Sequence, residues 1–443
     1  MPITFIHLSD IHFGQEKGAQ IIINNDVKER LIEDARTQVR NLPNARADGI
    51  IVSGDIAYAG KSIEYQQAGE WLDRLAIAVG CDKTAVQVVP GNHDIDRDGI
   101  SSGCKLMLEA IARDGEAQLD AFLEFEVDRE ALYNRFAAYR PFAEGYNCPL
   151  DKKGGIASDR RYEIAPGRVV RVIGLNSALI CAKNDTEGRL LLGARQHVLP
   201  RSPGEELIVV CHHPLNWLQD SDAARRYVRS RARVFISGHE HNPSLRIENI
   251  RDGTDLMLLA AGATAPLRAE DGFTYTYNIL QLDWDAVTDG LKVTIVPRAW
   301  SDEETDFVAD EHRLGGKQPT NVLGCPNFRA QQKEAQEQVA PVAPQVVEKP
   351  ETIPAVVARQ ESEIMAANFP LLLLKFFRDL TPTQRLLVLA KLKALPEDWH
   401  DPLTHIIERH VIDGLARDGR LDDLEAAMVE IQNENETNAG EKK

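Results

Sequence analysis

Residues 3–12 read ITFIHLSDIH. An apolar run over Ile3–Leu8 gives way to Ser9, Asp10 and His12, as in a buried strand that delivers polar side chains at its carboxyl end. Four further blocks share this design: IIVSGD at 50–55, VQVVPGNHD at 86–94, LIVVCHHP at 207–214 and VFISGHEH at 234–241. Each sets Asp55, then Asn92 with His93 and Asp94, then His212, then His239 with His241, just past a hydrophobic run. Side chains at i and i+2 share one side of an extended chain, which suits Asp10 with His12 and His239 with His241 as pairs.

Helical periodicity over Val27–Leu42 and Ser62–Val79 separates the first three runs, and Val169–Leu175 adds another strand. Strand–helix alternation predicts an α/β layered core. The later runs Leu256–Ala261, Thr274–Trp284 and Leu291–Pro297 follow one another with turn signals between them, which predicts a second, more antiparallel sheet. The expected architecture is a two-sheet sandwich flanked by helices. Residues 98–150 interrupt the strand rhythm with Ala, Leu, Glu and Phe at helical spacing and read either as a helical insertion shaping access to the site or as ordinary surface helices.

Imidazoles, two carboxylates and one amide oxygen suit a pair of divalent transition ions, with Mn first and Fe, Zn or Ni as alternatives; Mg and Ca prefer mostly oxygen. Such a pair would give a local positive charge despite the acidic whole. Taken singly, Asp-x-His, Gly-Asp and Gly-His-x-His are common turns or surface pairs. The information lies in their joint order, each at a strand end.

The set DIH, GD, GNHD, HHP and GHEH resembles the calcineurin-like metallophosphoesterases over about residues 1–300. The resemblance implies that Asp10, His12, Asp55 and His241 hold one ion, and that Asp55, Asn92, His212 and His239 hold the second, with Asp55 bridging. It makes His93 the histidine that touches the substrate phosphate and serves as general acid in hydrolysis of a P–O ester. Asp94 either orients His93 or caps the turn. The second block, GDIAYAG, lacks the arginine-bearing extension GDxVDRG of Ser/Thr protein phosphatases. PGNHD, HHP and GHEH are closer to the phosphodiesterase branch, which includes cyclic-nucleotide phosphodiesterases and Mre11-type nucleases. A phosphodiester substrate, nucleic acid or cyclic nucleotide, is therefore expected ahead of a phosphomonoesterase or protein phosphatase, and ahead of a non-catalytic interaction scaffold.

Arg225, Arg226, Arg229, Arg231 and Arg233 crowd the stretch before GHEH, with Arg160 and Arg161 a smaller pair. They either steer an anionic substrate or form a solvated face balanced by acids. The formal net charge of -17 over 443 residues argues against non-specific binding to nucleic acid or anionic membranes. Six scattered cysteines without a CxxC pair fit a reducing compartment, and no secretory signal or spanning segment is evident, so a cytoplasmic protein is expected.

Composition divides the chain into a catalytic domain at 1–330, a Pro- and Val-rich linker at 331–360, a helical bundle at 361–434 and a disordered tail at 435–443. Thr381, Pro382 and Gln384 form a helix start, with Leu386, Leu387, Leu389, Ala390 and Leu392 expected on the apolar side. Further helices are expected around His400–Leu415 and Leu421–Ile431. The pattern LTPTQRLLVLAKL loosely resembles the small helical adaptor domains of bacterial effector enzymes, which implies a protein partner docked through the bundle; a helical lid on the enzyme is the alternative. His400, His405 and His410 share no helical face and are expected at the surface. Oligomeric state is not legible.

Overall fold

The computed structural model describes residues 2–16, 18, 20–251, 253–266, 274–316, 318–330, 368–395, 399 and 403–440. The expected linker at 331–360 and His400 lie outside these. The chain divides into two compact units: Met1–Ala143 with Cys148–Pro341, and Glu144–Asn147 with Val342–Lys443.

The first unit is built on two mixed sheets. One has the order β12 (Asp306–Ala309), β11 (Gly290–Ser301), β10 (Thr276–Asp285), β1 (Ile3–Leu8), β2 (Gly49–Val52), β3 (Val86–Val88), with β13 (Thr320–Leu323) also on β11; the other runs β4 (Ser158–Ala165), β5 (Arg168–Leu175), β6 (Glu205–Cys211), β7 (Ala232–Ser237), β9 (Thr254–Ala260), β8 (Ser244–Arg251). In the first, β1 (Ile3–Leu8), β2 (Gly49–Val52) and β3 (Val86–Val88) are parallel, joined by α1 (Gln20–Arg40) and α2 (Ser62–Ala78). In the second, β5 (Arg168–Leu175), β6 (Glu205–Cys211) and β7 (Ala232–Ser237) are parallel.

The sheets share one core. Ile3 and Phe5, Val170 and Val172, Ile208 and Val210, Val234 and Ile236, Leu280 and Leu282, and Leu291, Val293 and Ile295 meet in a single apolar cluster. Each set is spaced by two, which is how a strand commits one face to a partner sheet. On α1 the buried residues Val27, Leu31, Ala35 and Val39 recur every fourth position and form its packed stripe.

The later strands do not form a sheet of their own. β9 (Thr254–Ala260) lies parallel to β7 with Val234 opposite Met257, whereas β10 (Thr276–Asp285) runs antiparallel to β1 with Phe5 opposite Leu280. β11 (Gly290–Ser301) pairs with β10 and carries β12 (Asp306–Ala309) and β13 (Thr320–Leu323). Alternation reveals a strand but not its neighbour, and β10 meets β1 across more than 270 residues of chain. The sequence pattern predicts neither β12 and β13 nor the two edge strands of the second sheet, β4 (Ser158–Ala165) and β8 (Ser244–Arg251). Their outward positions carry charges such as Arg161 and Glu163, which suit a strand with one wet face. Between β3 and β4 lie α3 (Ser102–Asp114), α4 (Glu116–Glu124), α5 (Glu126–Tyr133) and α6 (Tyr139–Gly145). Later come α7 (Ala194–His197) and α8 (Ser221–Arg231).

In the second unit, a helical stretch over 368–379 ending in a π turn (Lys375–Asp379) packs with helices Pro382–Lys391, His405–Arg417 and Leu421–Gly440. Leu372, Phe376, Phe377, Leu389, Ile412, Leu424 and Met428 form its core. Thr381 caps as expected: its hydroxyl accepts from Gln384 N, and Gln384 Oε1 accepts from Thr381 N at 2.8 Å. The last helix continues through residues 435–440, read above as tail, because neither Gly nor Pro interrupts it before Gly440. Among the described residues no helix is long and apolar enough to cross a membrane, and all six cysteines are free thiols.

Candidate metal centre

The five strand-end loops converge at one edge of the sandwich, where neighbouring backbones hold them in place. Asp10 N donates to Gly54 O at 3.0 Å, Ile11 N and His12 N to Asp55 O at 2.9 and 3.0 Å, and Phe13 N to Ile56 O at 2.9 Å. The loops after β1 and β2 are thus zipped together. Across the site Gly238 N donates to His212 O at 2.8 Å. Asp10, His12, Asp55, His239 and His241 all have φ between +52° and +71°, half of the ten described non-glycine residues on the positive side. Backbone strain of order 1–3 kcal/mol per residue persists only where surrounding structure enforces it, and it clusters at functional sites. Gly54 and Gly91 allow the close approach: a Cβ on Gly54 would fall on the His212 ring, and one on Gly91 on the Asp55 carboxylate.

The structure brings together all seven candidate donors. His241 Nε2 is 3.2 Å from Asp10 Oδ1. Asp55 Oδ2 is 3.3 Å from both His12 Nε2 and His212 Nε2. Asn92 Oδ1 is 3.2 Å from His212 Nε2 and 3.0 Å from His239 Nδ1. Two donors held by one ion at about 2.1 Å, with angles of about 90–109°, stand roughly 3.0–3.4 Å apart, so these spacings fit shared ions. Asp10, His12 and His241 form one such group, and Asp10, Asp55 and His212 another. Further contacts fix the imidazoles: His12 Nδ1 lies 3.2 Å from Ala265 O, and His212 Nδ1 2.9 Å from Ser53 O. A backbone partner for the second ring nitrogen is the usual support of a metal-binding histidine.

Charge points the same way. Burial pushes the Asp10 carboxyl up, but His241 outweighs it and holds it below the ordinary carboxylate range. Asp55 is held well below that range against burial, chiefly by His212 and His93. Burial lowers His212, yet Asp55 raises it to about 9. Two buried carboxylates thus pull positive charge onto their neighbours, as a centre built for cations should.

His93 lies at the edge of this group. Its Nδ1 is 2.7 Å from Tyr58 O, its ring stacks on Tyr58 with centroids 5.2 Å apart, and its amide N donates to Asp55 Oδ1 at 2.7 Å. Burial lowers it to about 4, with Asp55 opposing. Asp94 does not turn toward His93. Its carboxylate accepts from Ile56 N, Ala57 N and Gly91 N at 3.1, 3.0 and 2.9 Å, and from Tyr65 Oη at 3.0 Å. It ties the loop after β2 to the loop after β3, and burial together with the Asp55 charge raises its pKa to about 6.

The motif reading left several neighbours out. Ser9 Oγ donates to Asp10 Oδ2 at 2.5 Å. His213, the second histidine of HHP, is buried against Ser177 Oγ at 2.8 Å and joins His212 and His239 in a three-histidine group. Trp217 packs edge-on against His239 with centroids 4.1 Å apart. Arg97 Nη2 lies 2.7 Å from His93 Nδ1. Of these only His213 had a local signal, its place in the motif. The arginine cluster is largely absorbed: Arg229 pairs with Glu248, Arg231 donates to Leu199 O, and buried Arg233 pairs with Glu206 at 3.2 Å. Arg160 donates to Val86 O, and Arg161 pairs with Glu205.

The family model described as calcineurin-like phosphoesterase matches residues 3–243, and that described as GTPase-associated adaptor domain matches residues 368–430. A curated relative from Bacillus subtilis (strain 168), the uncharacterized metallophosphoesterase-like protein YydB, is 24% identical over 278 residues, 59% of this chain and 54% of that protein. The chain therefore spans about half the length of this relative. Similar solved structures include the Haemophilus influenzae NAD nucleotidase NadN, at 9% identity and TM-score 0.34 over 82% of this chain and 60% of that one. The purple acid phosphatase PPD1 from yellow lupin (Lupinus luteus) is 12% identical, with TM-score 0.37 over 72% of this chain and 56% of that one.

Proposed function

The chain belongs to the calcineurin-like phosphoesterase family, and from that premise we propose that it is a metal-dependent hydrolase that cleaves a phosphodiester of a nucleotide or nucleic acid. In this reading Asp10, His12, Asp55 and His241 hold one divalent ion, and Asp55, Asn92, His212 and His239 the other, with manganese the first choice. The observation that carries it is the position of Asp55: a single carboxylate oxygen 3.3 Å from one imidazole of each set. Bound divalent ions supply positive charge to the phosphoryl oxygens and acidify water.

The protein's own groups do the rest. The Tyr58 carbonyl and ring hold His93 through Nδ1, which leaves Nε2 for the ester oxygen. An anionic ester beside His93 favours the protonated ring, and that ring donates to the leaving oxygen. Asp94 holds the backbone that presents Asp55 and Asn92 and takes no part in proton transfer. The diester preference rests on GDIAYAG, which lacks the phosphatase arginine. Turnover of bis(p-nitrophenyl) phosphate against p-nitrophenyl phosphate, with Mn added, tests it: the diester is expected to be the better substrate, and a strong monoester preference overturns the choice.

The C-terminal helices serve in this proposal as a docking module, and the matched adaptor model points to a GTPase-bearing protein as the partner. A pull-down with residues 361–443 as bait, against the same segment carrying charge substitutions at exposed Leu386 and Leu387, tests for a specific partner.

A further inference from the structure

We propose that Arg97 is a substrate-binding residue whose guanidinium takes a non-bridging oxygen of the same phosphate that His93 faces. The inference rests on the phosphoester reading above and adds a residue that none of the five motifs contains.

Arg97 stands four residues after His93 in GNHDIDR. It is half-buried, with Nη2 2.7 Å from His93 Nδ1 and 3.5 Å from Nε2. That ring is its hydrogen-bond partner, and no described carboxylate pairs with it. His93 Nδ1 is also 2.7 Å from Tyr58 O. One nitrogen cannot donate to a carbonyl and accept from a guanidinium at once, so while Tyr58 holds Nδ1 the ring offers Arg97 only Nε2, at 3.5 Å, the nitrogen that faces the ester. A guanidinium stays charged and carries five donors. Its Nη2 lies against the His93 ring at the edge of the donor group, and no described carboxylate receives its donors.

The carboxylates nearby are otherwise engaged. Asp96 pairs with Lys61 at 2.7 Å and accepts from Gly99 N at 3.0 Å. Asp94 is taken by the loop amides described above. Asp185, which feels Arg97 and Arg135 electrostatically, accepts from Ala182 N at 2.8 Å, and burial raises its carboxyl. The loop is anchored before Arg97 by the Asp94 carboxylate and by Asp96 N donating to Arg135 O at 2.8 Å, and after it by Asp98 N and Gly99 N donating to Asp96 Oδ1 at 3.1 and 3.0 Å. A cation fixed beside the substrate-facing histidine, without a protein anion, matches the planar two-oxygen edge of a phosphate ester.

The test uses the full chain loaded with Mn. Arg97→Ala and Arg97→Lys are compared with wild type for bound metal, for calorimetric affinity toward inorganic phosphate, and for kcat/KM on bis(p-nitrophenyl) phosphate. Metal content should be unchanged. Phosphate affinity and kcat/KM should each fall by about 10–100-fold in Arg97→Ala, the size expected for a lost hydrogen bond to a charged group. Arg97→Lys should recover part of both, as a point charge without the fork. Affinity and kcat/KM within twofold of wild type in Arg97→Ala overturn the proposal. So does a loss of metal in that variant, because Arg97 would then support the donors rather than the substrate. A wild type that binds phosphate but cleaves no ester sinks the activity alone, and Arg97 is still judged by the affinity of its variants.

Discussion

The two sheets feed the site unequally. The loops after β1, β2 and β3 bring both carboxylates, Asp10 and Asp55, with His12, Asn92 and His93, whereas the loops after β6 and β7 bring only the imidazoles of His212, His239 and His241. The first set is cross-linked by backbone hydrogen bonds from Asp10, Ile11, His12 and Phe13 and by the Asp94 carboxylate. The second is joined by the bond from Gly238 N to His212 O and leans on neighbouring rings, His239 against Trp217 and His213. Both carboxylates thus sit on one sheet and only imidazoles on the other, so cations at the seam would bind the two loop sets together. Loss of Asp55, the carboxylate in both donor sets, should disturb both ions, and loss of a second-sheet imidazole chiefly one.

The largest effect expected is that of Asp55→Asn. It keeps the shape, removes the charge between the two donor sets, and should abolish turnover while lowering metal content at both positions. Metal analysis by mass spectrometry checks this; a variant that retains two ions breaks the asymmetry. His239→Ala sharpens it and should cost one ion per chain. Next is His93→Ala, expected to keep both ions and to slow hydrolysis by about 10²–10⁴-fold. Unchanged turnover there removes His93 from the mechanism.

The donors themselves were legible because each rides at the end of an apolar run, and residue type with order is enough to place it. What surrounds them was not. Nothing local marks Asp10, His12, Asp55, His239 and His241 as left-handed, because that conformation is imposed by loops meeting from distant chain. Asp94 looked like a companion of His93 because it follows it; its true partners, Ile56 and Ala57, lie 38 and 37 residues away. The same blindness to distant partners misassigned β10, whose pairing with β1 depends on residues more than 250 positions upstream. Arg97 was overlooked because a lone arginine after a motif carries no periodic signal. The arginine cluster before GHEH did carry one, and its members are largely spent on Glu206, Glu248 and a carbonyl.

Asp94→Ala addresses the rigidity of the first sheet's loops rather than their chemistry. It leaves Ile56 N, Ala57 N and Gly91 N without their buried acceptor, at a cost of about 3 kcal/mol in unfolding free energy by denaturant titration. Loss of turnover without loss of stability would instead return Asp94 to a direct role beside His93.

Truncation after Ala330 should change least. Every candidate donor, both sheets and their shared core lie before that residue, so hydrolysis of a small diester should stay within about threefold of the full chain. The measurement is kcat/KM on bis(p-nitrophenyl) phosphate, with metal content alongside. If the truncated protein is insoluble or loses its metal, the seam between the two sheets is not self-sufficient, and the C-terminal helices are part of what holds the imidazole side against the carboxylate side.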